Sequence, residues 1–168
     1  MSENDNTIEN LEFDVTMTSA VMYDFQIYNT YNKTSAGIVG TGVGTSAIIM
    51  GLAYNYVLFV IMGIVLVLYT PISLKLRSAQ QMKNVEAFSK PLHYSIGEEG
   101  ITVSQGETTQ TVTWDNALSA VSTKQSIIVY TGKTNASIFP RKQLGTKLPF
   151  LIATLARYME PKRVKIRF

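Results

Sequence analysis

The stretch Gly51–Phe59, GLAYNYVLF, interrupts the longest uncharged run of the chain with Tyr54-Asn55-Tyr56. Its reading decides the architecture. From Thr34 to Leu74 no residue is charged over 41 positions, about twice the roughly 20 helical residues that cross a bilayer core. One straight helix would overshoot. Two helices with a reversal at Asn55, a residue that tolerates leaving the helical region, fit the length. The expectation is a transmembrane hairpin, roughly Ser35–Ala53 and Tyr56–Leu74, with both tyrosines at a headgroup layer. The competing reading is a pair of core helices in a soluble protein, but 168 residues supply no core large enough to hide two helices that are apolar all round.

Charge is segregated along the chain. Residues 1–33 carry six acidic side chains and one basic one, and residues 75–168 carry fourteen Lys or Arg against six acidic residues. The hairpin tip has no Lys or Arg, whereas Lys33 precedes the first span and Lys75, Arg77 and Lys83 follow the second. The positive-inside rule therefore puts both ends in the cytoplasm and the turn at Asn55 outside. The expected location is the cell membrane, multi-pass, with cytoplasmic N- and C-termini. The opening MSENDNTIEN has no positive region and no early apolar run, so it does not read as a cleavable signal. Cysteine is absent, which removes disulfides and thiolate metal sites.

The two spans differ. The second is strongly apolar; the first is rich in Gly, Ser and Thr, with Gly37, Gly40, Gly44 and Gly51 spaced at three, four and seven. Such a stripe lets another backbone approach closely, either the second span of the same hairpin or the equivalent helix of a second copy. No ionisable residue lies between Lys33 and Lys75, where conduits and proton relays usually carry one. An anchor is expected rather than a pore.

Before the spans, Phe13, Val15 and Met17 alternate with polar residues as in a strand. Val21, Phe25 and Tyr28 then follow a Thr18/Ser19 cap at helical spacing. After the spans, residues 75–90 read as a helical connector ending near Pro91. From Leu92 six short runs rich in β-branched and aromatic residues, from LHYSI to NASIF, are separated by turn residues. They lead into LPFLIATLARYM, whose Leu148, Leu151, Ile152, Leu155 and Tyr158 repeat at three and four. The chain thus reads as α+β. An N-terminal strand and amphipathic helix (1–33), a transmembrane hairpin (34–74) and a connector (75–90) precede a small antiparallel β-barrel or sandwich capped by a C-terminal helix (91–168). A 90–168 fragment is expected to fold alone.

Three motifs of the last segment, Glu99-Gly100-Ile101, Thr113-Trp114-Asp115 and Ile138-Phe139-Pro140-Arg141, occur in order behind two spans. In this the chain resembles the YcxB-like family of bacterial membrane proteins over roughly residues 35–160. The resemblance implies a pleckstrin-homology-like (PH-like) C-terminal domain at the membrane and brings no biochemical role with it. The turn Gly97-Glu98-Glu99-Gly100 stands where lipid-binding relatives of that fold carry basic residues, and two carboxylates there would repel a phosphate.

Little chemistry is expected. His93, the only histidine, has no acidic or nucleophilic neighbour in a recognisable motif, and Trp114 reads as a plug with its N–H bonded nearby. No enzyme, cofactor, metal or nucleic-acid partner is expected. Lys133, Arg141, Lys142 and Lys147, together with the tail residues Lys162, Arg163, Lys165 and Arg167, are the candidate contacts to anionic lipid headgroups, each worth about 1 kcal/mol near such a surface. The tail alternates apolar and basic residues, so it either adds as an edge strand or lies free at the interface. The functional expectation is a membrane-anchored cytoplasmic binding or scaffolding module with an unidentified protein partner. The alternative is a small regulatory or pore-type subunit that oligomerises through its hairpin.

Overall fold

Strand β1 (Leu11–Val15) is short, and its partner lies far along the chain. It pairs antiparallel with β2 (Leu92–Gly97), Val15 facing Leu92 and Leu11 facing Ile96. The computed structural model describes residues 10–85, 88, 90–132 and 135–166. Strands β3 (Gly100–Gln105) and β4 (Thr108–Val112) continue the first sheet through two-residue turns, in the order β1-β2-β3-β4. A short turn at Trp114–Asn116 carries the chain into the second sheet. There β5 (Ser119–Ser122), β6 (Ser126–Tyr130) and β7 (Ala136–Pro140) form an antiparallel meander. The brief helix α4 (Arg141–Leu144) and α5 (Leu148–Tyr158) follow, and β8 (Val164–Lys165) returns parallel to β5, giving the order β7-β6-β5-β8. The two sheets do not share strands, so they form no closed barrel.

The core of this domain is built from alternation. In β1 Phe13 and Val15 are buried while Glu12 and Asp14 are exposed, and Tyr94 and Ile96 repeat the pattern in β2. Phe13 stacks on Tyr94 at 5.9 Å, and both meet Phe139 of β7 edge-on at 5.7 and 4.9 Å. Three aromatic rings thus join the first sheet to the second, a geometry their quadrupoles favour. Strand β6 is buried throughout, and Leu151 and Leu155 form the buried stripe of α5.

Between β1 and β2 lies a separate helical unit, Thr18–Val85, while the chain up to Met17 and from Glu86 on makes up the other unit. Helix α1 (Ser19–Tyr28) starts at Thr18, whose side chain accepts the Val21 N–H, and a π-helical turn at Asn29–Lys33 ends it. Helices α2 (Ala36–Ala53) and α3 (Val57–Asn84) are the two apolar ones. They reverse at Asn55, which takes a left-handed φ of 57°, and the Tyr56 N–H returns to the Gly51 carbonyl at 2.8 Å in the six-to-one bond that closes a helix end of this kind.

Two segment boundaries differ from the sequence reading. The second span continues without a break into the connector, since Pro71 removes a single hydrogen bond and leaves the helix intact, but that helix ends at Asn84 and Val85 is already extended, short of the expected end near Pro91. The N-terminal strand belongs to the C-terminal sheet, so residues 90–168 alone lack an edge strand and one ring of the aromatic cluster. Phe13, Val15 and Met17 each contribute about 1.5–3 kcal/mol by burial, together comparable with the whole stability of a small domain. A 90–168 fragment should therefore melt without cooperativity. A chain joining residues 10–17 to 91–168 through a short Gly-rich turn should give a cooperative thermal transition followed by circular dichroism. Equal transitions for both would make β1 dispensable.

Burial pushes the Tyr94 hydroxyl up to about 12, against the opposing effect of its hydrogen bond with Ser137. The folded domain holds this proton longer than the unfolded chain, whose phenol titrates near 10. Its stabilising effect is therefore complete below about pH 10 and fades as pH rises toward 12. Wild type should lose about 2 kcal/mol more than Tyr94→Phe across that window, measured by urea unfolding at each pH; parallel losses would contradict the assignment.

Candidate functional site

The registers determine which backbone groups point out of the first sheet. Leu11, Phe13 and Val15 exchange bonds with β2, so Glu12, Asp14 and Thr16 turn their N–H and C=O groups to the outer edge. That edge is met by side chains from the segment after β7. The Gln143 amide acts as a strand partner for Thr16: its Nε2 donates to the Thr16 carbonyl at 2.7 Å, and its Oε1 accepts the Thr16 N–H at 2.8 Å. Lys147 Nζ donates to the Glu12 carbonyl at 2.7 Å. Between these contacts is a groove of about 510 Å³, walled by Glu12, Asp14 and His93 on one side and the Gln143–Lys147 turn on the other. Gly145, at φ 51°, makes that turn.

His93 is at the sheet surface and does have an acidic neighbour. Asp14 stands opposite it across the strand pair, with Oδ1 2.8 Å from Nδ1. No local motif announces this pair, because its two members are 79 residues apart in sequence. Both side chains are well exposed, at 47% and 70%, so the pair adds little to stability. Ser104 continues the row beyond His93, but no side-chain hydrogen bond among the described residues joins the two. Nor do the described His, Asp and Glu residues form a group of three that could hold a metal.

The basic residues are dispersed. Of the tail, Val164 and Lys165 add as an edge strand, Val164 beside Ala120 and Lys165 beside Val121, while Lys162 and Arg163 lie in a short turn before them. Lys142 follows β7 at the other edge of that sheet, three strand spacings or about 14 Å away. Lys147 is occupied by the Glu12 carbonyl. Arg163 pairs with Glu160 at 3.4 Å and makes long hydrogen bonds to the carbonyls of Asp115 and Ala117. Arg141 is half-buried. Lys142, Lys162 and Lys165 remain exposed without a described partner, while Lys133 and Arg167 lie outside the described residues.

The three motifs noted in the sequence converge on structural tasks. Gly97 and Gly100 close the β2–β3 turn, and Gly100, at φ 141°, lies against the Val112 carbonyl, where a side chain would collide. The Trp114 N–H donates to the Gly97 carbonyl at 3.0 Å, and its ring stacks on Tyr158 of α5 at 5.3 Å. The turn, the crossing between sheets and the last helix are thereby tied together. Phe139 supplies the ring shared by both sheets.

Within the helical unit, Gly37, Gly44 and Gly51 are buried. Gly44 faces Gly63 and Val67 of α3, Gly51 faces Val60, and Gly37 lies under the Tyr31 ring. Gly40 has only Thr70 near it, and Gly42 has nothing.

These features define an α+β domain of two sheets into which a pair of long apolar helices is inserted. Residues 96–151, a third of the chain from the end of β2 into α5, match the model of the YcxB-like protein family. The match takes in all three motifs and leaves out both β1 and the helices. No curated protein and no solved structure matches the chain.

A Cβ on Gly44 would lie 2.9 Å from the Gly63 carbonyl oxygen and 2.8 Å from Val67, whereas one on Gly42 meets open space. Gly44→Ala should destabilise the helical unit by about 1–3 kcal/mol, seen as a lower melting temperature in detergent, and Gly42→Ala should leave it unchanged. Equal melting temperatures would mean that α2 and α3 separate at no cost.

Proposed function

We propose that the protein is a membrane-anchored module whose α2–α3 hairpin crosses the bilayer twice and whose two-sheet domain, of PH-like type, binds or scaffolds a partner on the cytoplasmic side. One observation carries this reading: both helices are apolar, yet only 17% and 6% of their apolar windows are buried. Val57, Leu58, Val65 and Tyr69 are among the side chains left more than half exposed. Water would penalise that surface by roughly 25 cal/mol per Å², and lipid removes the penalty. At 1.5 Å per residue α2 spans about 27 Å and α3 about 42 Å, against a hydrocarbon core of about 30 Å. The surplus of α3 lies at its C-terminal end, with Lys75, Arg77 and Lys83.

Chain connectivity supports the same topology. Because Val15 and Leu92 are paired, the chain leaves and re-enters the sheet about 5 Å apart, which requires an even number of crossings in between. Positive flanks favour the cytoplasm for both ends. Tyr54, Tyr56 and Phe59 gather at the opposite tip, as interfacial aromatic residues do. The order of four strands, three strands and a helix, with the two-residue β8 added to the second sheet after it, supports the PH-like assignment. The groove beside β1 is the part of the domain suited to a polar ligand, and exposed Lys142, Lys162 and Lys165 are available to anionic headgroups at separate points.

Single cysteines in this cysteine-free chain test the reading. Asn55→Cys should react with a membrane-impermeant maleimide in intact cells, and Lys124→Cys only after permeabilisation. The opposite pattern would invert the topology, and extraction of the protein by alkaline carbonate would remove it from the bilayer.

A further inference from the structure

Exposed sheet edges invite pairing, and folded proteins usually blunt them. Among the described residues, three of the four edges are blunted. The outer edge of β1 is occupied by Gln143 and Lys147, β7 ends in Pro140, and β8 is two residues long. Strand β4 differs. Its sequence TTQTV contains no charge, no Pro and no Gly, its first four residues are exposed, and it terminates the first sheet with no described strand beyond it.

The register shows which groups this edge offers. Gln105 and Thr108 close the two-residue turn, so Thr108, Gln110 and Val112 bond to β3, and Thr109 and Thr111 turn their N–H and C=O outward. We propose that this edge pairs with the β4 edge of a second copy of the chain, antiparallel about a two-fold axis at Gln110, so that the two four-stranded sheets become one. In that register Thr109 of one copy faces Thr111 of the other. The outward groups of one therefore meet those of the other as mutual donors and acceptors, and the threonine side chains form a favourable cross-strand pair.

A two-fold contact places a patch against itself, so any charge on the patch would face its own kind or nearly so. The absence of charge from Thr108–Val112 removes that obstacle. The nearest acidic residues, Glu107 and Asp115, fall opposite Thr113 and Gln105 rather than each other in this register. A second copy brings to this edge a strand of matching register that carries no charge, and is therefore the occupant the edge fits. The inference stands on the edge alone and does not require the membrane reading.

The test uses the full chain in detergent micelles. Gln110 sits on the axis in a pair that is not hydrogen-bonded, where Cα atoms approach to about 4.5 Å, within reach of a disulfide. Gln110→Cys should give a covalent dimer under mild oxidation, and Lys124→Cys should not. Adding Thr111→Pro removes an outward N–H without removing a bond to β3, so it should abolish the crosslink, and Thr111→Pro alone should shift the mass measured by light scattering from dimer to monomer. Circular dichroism checks that the Pro variant remains folded. The variant Thr109→Lys with Thr111→Lys, which sets lysines against lysines across the axis, is an independent route to the same monomer. A crosslink no stronger for Gln110→Cys than for Lys124→Cys, a dimer that survives both the Pro and the double-Lys variants, or a Gln110→Cys thiol that crosslinks only to another protein would each overturn the proposal.

Discussion

The antiparallel pairing of β1 with β2 governs the rest of the molecule. It joins strands separated by the entire helical unit, and it places Phe13 where it can stack on Tyr94 and reach Phe139. Closing so long a loop as a flexible chain would cost about 4 kcal/mol in entropy. The helical pair reduces that cost by folding back on itself, since a hairpin delivers its two ends to the same side. Gln143 then fastens Thr16, two residues before the helical unit begins at Thr18. The sheet and the insertion are therefore mutual conditions: the insertion must return where it started, and the sheet must hold both points of departure.

Small residues do the equivalent work in the helical unit. Gly44 and Gly63 let α2 and α3 approach until backbone meets side chain and carbonyl. The other surfaces of the two helices are left apolar and exposed. A protein in water seldom has such an arrangement, and its cost depends on the solvent around it.

Much of this architecture was legible because it is written locally. The uncharged run, the Asn55 reversal, the strand character of β1, the six later strands and the stripe of α5 are matters of spacing and turn chemistry within a few residues. What was not legible is pairing. Alternation in Phe13, Val15 and Met17 marks a strand but does not name its neighbour, so the link to β2 went unseen, and with it the Asp14–His93 contact. Gln143 gave no signal at all, because an amide that completes a sheet edge looks like any other surface glutamine. Charge composition does not give position either: of the eight candidate Lys and Arg residues, Lys147 and Arg163 bond to carbonyls, and Lys142 and Lys165 lie at opposite edges of a sheet.

The position of β1 also imposes an order in time. Synthesis runs from the N-terminus, so β1 is made early, yet its partner β2 emerges only after the whole helical unit. The ring that packs against both strands, Phe139, comes later still. During that interval Phe13, Val15 and Met17 have no core to enter, and the acidic residues Glu3, Asp5, Glu9, Glu12 and Asp14 around them keep the nascent segment charged and discourage it from associating with other apolar chain. The helical unit is complete before the domain can close. Strand β1 is thus made well before it can be used: a ribosome that stalls before β2 leaves it without a partner, and one that stalls before β7 leaves it without the ring of Phe139.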